Sequence, residues 1–252
     1  MSWTLHLGDC LDPVSGLASL PDRSVDHVIT DPPYEAEAHT KGKRQGPTSD
    51  GHRRVVDESF SFVAITDSQR AALGVQFGRL CRGRVVVFCQ VEAVSAWRSA
   101  LEAGGLIYRR TIPWVKPDAM PSLHGRWPGQ AFEAIVLAQA KGSDRCPIGG
   151  KARYYEYTRK VMARGERPHP TVKPTALMVN ILEDFTREGD LVLDPFAGSG
   201  STGVACAQLG RHFIGWELSS EYHAIATRRL SGERAILNAA QPELFGARQE
   251  NS

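Results

Sequence analysis

A doubly wound α/β sheet is the fold this sequence predicts, on three observations. Short apolar runs of strand type alternate with longer runs of helical type along most of the chain. One stretch, Asp190 to Gly203, reads D-L-V-L-D-P-F-A-G-S-G-S-T-G: a short buried strand, a glycine turn, then a helix-compatible run to Leu209. Four strands end in an acid or an acid-led turn, and the carboxyl ends of strands are where such sheets bind ligands.

In chain order, Thr4 to Leu7 is a strand that runs into Gly8-Asp9, and Val14 to Leu20 a short helix. Val25 to Thr30 is a strand that ends in Asp31-Pro32-Pro33-Tyr34. Two prolines directly after a strand forbid both further sheet pairing and an ordinary helix start, so the chain is rigid there. Residues 35–59 contain Gly42, Gly46 and Gly51 and no apolar periodicity, and read as a long loop. Ser68 to Leu80 is a helix, Arg84 to Phe88 a buried strand, and Glu92 to Ala103 a helix stopped by Gly104-Gly105. Leu106 to Val115 and Ala131 to Ala138 form a strand pair, expected antiparallel at the sheet edge. Thr175 to Thr186 is a helix started by Pro174. After the central strand and its helix, Arg211 to Trp216 is a strand that ends in Glu217. Ser220 to Leu230 is the last helix, and residues 241–252 are a polar tail. The expected total is seven strands in a single domain.

The 252 residues suffice for one α/β domain with a substantial core. No run approaches the ~18 apolar residues of a membrane span, and Met1 to Asp9 carries no pattern of a secretory signal. The five cysteines, Cys10, Cys81, Cys89, Cys146 and Cys206, are scattered, with no C-x-x-C pair. A reduced, cytosolic setting without structural zinc is expected. The net charge of +2 does not announce nucleic acid, but its local distribution does.

The glycine turn admits three readings. Gly198, Gly200 and Gly203 match G-x-G-x-x-G, a dinucleotide fingerprint that is weak alone. No Lys-Ser or Lys-Thr pair follows, which disfavours a P-loop. Asp194 at the strand end would repel a pyrophosphate and attract a cation, which suits S-adenosylmethionine, a ligand with an ammonium, a sulfonium and no phosphate. The third reading is a turn that binds nothing. Glu217 lies 17 residues after Gly200, a suitable place to accept from ribose hydroxyls, and Asp9 could accept from an adenine amino group. Singly, each acid could equally cap a helix or sit in solvent. Together with the glycine turn they mark a cofactor site.

Asp31-Pro32-Pro33-Tyr34 and Asp194-Pro195-Phe196-Ala197-Gly198-Ser199-Gly200 resemble the two signature motifs of the exocyclic-amino DNA methyltransferases, which methylate N6 of adenine or N4 of cytosine. The order, D-P-P-Y first and F-A-G-S-G late, resembles the circularly permuted β class of that family. His169-Pro170-Thr171-Val172-Lys173-Pro174 is similar to the class's H-P-T-x-K-P element, and Trp114-Val115-Lys116-Pro117 is also of the class's type. The resemblance spans residues 4 to 230. It implies a Rossmann-like methyltransferase sheet in the order 3-2-1-4-5-7-6 with one antiparallel strand, the D-P-P-Y strand lying beside the central one. The cofactor it implies is S-adenosylmethionine, held by Asp9, Cys10, Asp31, Thr171, Lys173, Asp194, Phe196, Ala197, Gly198, Gly200, Glu217 and Leu218, with no metal. Asp31, Pro32, Pro33 and Tyr34 would be catalytic. The Asp31 carboxylate and a carbonyl of the proline turn would accept from the target amine, and Tyr34 would stack on a base flipped out of the duplex. Asp at the first motif position leans toward adenine. Cytosine-N4, RNA or protein glutamine as substrate, and a non-catalytic binding module, are the competing readings.

Double-stranded DNA is the implied partner, gripped by two basic segments. Residues 41–54 hold Lys41, Lys43, Arg44, Arg53 and Arg54 against one acid, +4, and residues 141–173 hold nine bases against three acids, +6. The remainder of the chain is therefore acidic, at −8. Within 141–168, the expected target-recognition segment, Arg153 and Arg159 are the expected DNA contacts, interleaved with Tyr154, Tyr155 and Tyr157. The tyrosines fit core packing of a small subdomain equally well. The class includes homodimers and partners of restriction endonucleases, in prokaryotic or phage settings.

Overall fold

The structure, a computed structural model, describes residues 2–34, 64–119, 127–158 and 173–232. The long loop with Lys41, Lys43, Arg44, Arg53 and Arg54, as well as Arg159, Thr171 and the polar tail, lies outside the described residues.

Among the described residues eight strands form one sheet: β1 Trp3–Leu7, β2 His27–Thr30, β3 Arg84–Cys89, β4 Ile107–Val115, β5 Phe132–Gln139, β6 Tyr155–Glu156, β7 Leu191–Asp194 and β8 His212–Glu217. Their order is β1-β8-β7-β2-β3-β5-β4-β6. The first seven positions reproduce the implied order 3-2-1-4-5-7-6, with β2 next to the central β7. Among the described strands only β5 runs antiparallel to its neighbours, β3 and β4. The β4–β5 pair is thus not simply an edge hairpin: β5 is inserted between β3 and β4. The eighth strand, β6, adds two residues in parallel beyond β4. It is too short to show a period in the sequence.

The helices are α1 Asp67–Leu80, α2 Val94–Ala103, α3 Thr175–Phe185, α4 Ser201–Gln208 and α5 Ser220–Leu230. α1 starts at a reciprocal cap, in which the Thr66 hydroxyl accepts from Gln69 N and the Gln69 side chain accepts from Thr66 N at 2.9 Å. α1 and α2 touch backbone to backbone, because a Cβ on Gly78 would lie 1.8 Å from the Gly104 carbonyl. The helix expected over Val14 to Leu20 shrinks to a single 3-10 turn, Leu17–Ser19. Asp12 accepts there from Val14 N and Ser15 N, and this local competition favours turns over helix.

The core lies on both faces of the sheet. α1 and α2 cover one, through Leu73, Phe77, Trp97 and Leu101. α3 and α4 cover the other, through Leu177, Ile181, Ala205 and Cys206. Central strands buried on both sides explain the unbroken apolar run of β3, R-V-V-V-F-C, whose six residues are all buried. The consequence for function is a rigid rim. β1, β2, β7 and β8 are parallel, so their C-terminal ends open on one side of the sheet.

Candidate active site

At that rim, Asp194 closes β7 and is 2% exposed. One carboxylate oxygen accepts from the Thr30 hydroxyl of β2 at 2.8 Å and from Phe196 N at 3.1 Å. The other accepts from the Thr202 hydroxyl of α4 at 2.6 Å. Burial pushes the Asp194 carboxyl up to about 6, against the three hydrogen bonds that favour its charge. Gly200, at φ +82°, turns the chain into α4, and its missing Cβ leaves room for Ala226. Gly198, at φ +53°, has open space where a Cβ would stand.

Glu217 closes β8. Its carboxylate accepts from Gly198 N at 2.8 Å and Ser219 N at 2.7 Å, which ties the glycine turn to the neighbouring strand. Leu218 beside it is 73% exposed, an apolar surface next to the acid. Asp9 follows β1 and accepts from Leu11 N at 2.8 Å. Cys10 is buried in the core, where burial pushes its thiol up to about 12, so its side chain is a packing group. Ala197 N donates to the Trp216 carbonyl at 2.9 Å, and Phe196 is half-buried against the core. Three carboxylates around an open glycine turn suit a cationic, phosphate-free ligand with hydroxyls to bind, and so these residues fit S-adenosylmethionine.

Asp31 lies at the end of β2, beside Asp194. Its Oδ2 accepts from Lys173 Nζ at 2.5 Å. Its Oδ1 is shielded from solvent and has no hydrogen-bond partner among the described residues. Lys173 stands just before α3 and also reaches the Tyr34 hydroxyl oxygen at 3.2 Å and Glu133 at 3.4 Å. Tyr34 donates to Glu133, and Lys116 pairs with the same carboxylate. The faces of Tyr34, Phe88 and Trp114 surround the Lys173 ammonium at 5.1–5.5 Å. Burial opposes the Lys173 charge, but Asp31 and Glu133 outweigh it and hold its pKa above the ordinary value. Burial acts on Asp31 in the other direction and raises its pKa, with Lys173 opposing.

The model of the DNA methylase family for N6 and N4 substrates matches residues 25–228. The chain belongs to the exocyclic-amino DNA methyltransferases. It is 30% identical to the Type II methyltransferase M2.DpnII of Streptococcus pneumoniae, over 86% of each chain. It is 26% identical to the Type II methyltransferase M.HpaI of Haemophilus parainfluenzae, over 89% of this chain and 74% of that one. The crystal structure of an M1.HpyAVI–SAM complex superposes with a TM-score of 0.68 at 28% identity, over 90% of this chain and 98% of that one. The cytosine-N4-specific PvuII DNA methyltransferase superposes with a TM-score of 0.69 over 91% of this chain and 86% of that one; at 17% identity this is a likeness of fold.

In this methyltransferase the expected residues fall into two adjoining groups. Asp9, Asp194, Gly198, Gly200, Glu217 and Leu218 line the rim around the glycine turn. Asp31, Tyr34 and Lys173 form the second group, with Glu133, Lys116, Phe88 and Trp114 added by the structure. The Lys173 ammonium sits on Asp31. Arg153 donates to both oxygens of Asp184 at 2.6 and 2.8 Å and keeps 40% of its side chain exposed. The Tyr155 hydroxyl donates to the same carboxylate at 2.6 Å, so Arg153 and Tyr155 together anchor β6 to α3. No group of three or more His, Cys, Asp or Glu suited to a metal occurs among the described residues. None of the described helices is long and apolar enough to cross a membrane.

Glu217→Ala is expected to weaken S-adenosylmethionine binding by roughly 1.5–3 kcal/mol, the scale of hydrogen bonds to a charged group. Calorimetry on the folded variant checks this, with NAD as the control that should not bind.

Proposed function

We propose that this chain transfers a methyl group from S-adenosylmethionine to N6 of adenine in double-stranded DNA, with the target base flipped out of the helix. One observation carries the reading: the buried Oδ1 of Asp31, without a hydrogen-bond partner among the described residues, on a rigid proline turn beside the glycine-turn site. When bound, S-adenosylmethionine supplies an electrophilic methyl group on a sulfonium. Asp194, Glu217 and Asp9 would hold its charged and hydroxyl-bearing ends, with Leu218 against its flat ring.

An exocyclic amine is a poor nucleophile because its lone pair is delocalised into the ring. Asp31 Oδ1 accepts one of its N–H bonds and a carbonyl of the Asp31-Pro32-Pro33 turn accepts the other. This draws the nitrogen toward a tetrahedral geometry and localises the lone pair. The proline turn fixes the backbone from which both acceptors project, which favours a near-attack arrangement of the reacting atoms. The Tyr34 ring offers a stacking face, and its hydroxyl is held by Glu133 and Lys173. Asp at the first motif position supports adenine over cytosine. The Type II names of both relatives support a restriction–modification setting in a bacterial cytoplasm. The basic residues of segments 41–54 and 141–168 are proposed to grip the phosphates.

Tyr34→Trp should retain measurable transfer because stacking survives, and Tyr34→Ala should lose about 5–150-fold more, given ~1–3 kcal/mol per stacked base. Equal rates in the two variants would remove the stacking role. The base itself is tested by incubation with genomic DNA and labelled S-adenosylmethionine, followed by digestion to nucleosides. N6-methyladenosine is expected. N4-methylcytosine would establish the other activity of the family, and unlabelled DNA would reject the proposal.

A further inference from the structure

The catalytic turn is joined to a buried cluster of charges drawn from three distant segments. Lys173 comes from the approach to α3, Glu133 from β5 and Lys116 from the end of β4. Lys173 and Glu133 expose only 10% and 15% of their side chains. Buried charges of this kind are costly unless fully paired, and here they are paired with one another. The pairing is asymmetric at Asp31. The ammonium holds Oδ2 at 2.5 Å, while Oδ1 has no hydrogen-bond partner among the described residues. Glu133 in turn accepts from Lys173, Lys116 and the Tyr34 hydroxyl, so both functional side chains of the D-P-P-Y turn hang on one carboxylate.

We propose that Lys173 and Glu133 are positioning residues for methyl transfer: Lys173 pins one oxygen of Asp31 so that the other faces the target amine, and Glu133 fixes the Lys173 ammonium and the Tyr34 hydroxyl. The assignment rests on the reading of Asp31 as acceptor of the target amine. It gives the lysine of the H-P-T-V-K-P element a task within the chemistry, distinct from holding the cofactor. The aromatic faces of Phe88 and Trp114 keep the ammonium dry and in place, so its attraction for Asp31 is little screened.

The charges that act on Asp31 are those of Lys173, Glu133 and Lys116, with the Tyr34 phenol and the Asp194 carboxyl alongside. Lys173 and Lys116 lower the Asp31 pKa and Glu133 raises it. Removing Lys173 and removing Glu133 should therefore displace the acid limb of the reaction in opposite directions, which a merely structural role would not do.

The test is single-turnover methyl transfer as a function of pH for wild type, Lys173→Met, Lys173→Arg and Glu133→Gln, with S-adenosylmethionine affinity measured on each by calorimetry. Labelling of DNA by the wild type decides the parent reading separately, before any variant is compared. For Lys173→Met and Glu133→Gln the expected loss is on the order of 100-fold in rate, as for a misplacement of ~1 Å, with cofactor affinity kept within about threefold of wild type. The acid limb should move to higher pH in Lys173→Met and to lower pH in Glu133→Gln. Lys173→Arg should recover part of the rate. Cofactor affinity that collapses in step with rate in Lys173→Met would overturn the assignment and make Lys173 a cofactor ligand. Acid limbs unmoved in both variants would overturn it as well. If Lys173→Met does not fold, Lys173→Arg and Glu133→Gln decide by the same limbs and affinities.

Discussion

Asp31→Ala is expected to lower the methyl-transfer rate by about 10²–10⁴-fold, the range for removal of a positioned proton acceptor, while S-adenosylmethionine still binds. The expectation follows from the partners of the side chain. Asp31 Oδ1 has no hydrogen-bond partner among the described residues to lose. Oδ2 is bonded to Lys173, which retains Glu133 after the substitution. The substitution therefore removes the acceptor of the target amine and leaves Asp194, Glu217 and the glycine turn intact. Rate and cofactor affinity, measured on the same preparation by single turnover and calorimetry, should separate. Parallel loss of both would mean that Asp31 serves the cofactor.

Asp194→Asn should separate stability from function in the opposite sense. In the unfolded chain an Asp titrates near ~3.9, and burial raises Asp194 to about 6 in the folded protein. The folded state then binds this proton more tightly than the unfolded state. Its contribution to stability is complete below about pH 4 and is lost as pH rises through about 6. At neutral pH the buried carboxylate disfavours folding. Asn can keep an oxygen for Thr30 and Phe196 N and turn its amide toward the Thr202 hydroxyl oxygen. Asp194→Asn is therefore expected to leave Tm at pH 7.5 unchanged or higher, while S-adenosylmethionine binding weakens by roughly 10–100-fold through loss of a charged partner. Wild-type affinity should fall as pH is lowered through about 6. A lower Tm with unchanged affinity would make Asp194 a structural residue.

Most of this site was legible in the sequence because its residues sit at strand ends. Asp31, Asp194 and Glu217 follow apolar runs, and the glycines and prolines beside them fix the turns. The strand order was legible through the motifs, since β2 and β7 carry one each. The charge cluster was not. Lys173 lies 142 residues from Asp31, and no local pattern links them. Glu133 carried one signal, an acid at the start of the apolar strand F-E-A-I-V-L-A. Its partner Lys116 stood in a recognisable W-V-K-P run without a stated task. Arg153 read as a DNA contact because its neighbours in sequence are basic. Its partner within the fold, Asp184, is hidden on an apolar helix face and could not be inferred from local charge.

The most direct measurement is a crystal structure of the protein with a target-containing DNA duplex and a non-reactive analogue of S-adenosylmethionine. The flipped adenine should place its amino nitrogen within about 2.6–3.2 Å of Asp31 Oδ1, the reach of a positioned acceptor, with Lys173 still on Oδ2 and the Tyr34 ring against the base. An amino nitrogen remote from Asp31, or a base stacked in the duplex beside a fully assembled site, would contradict the account.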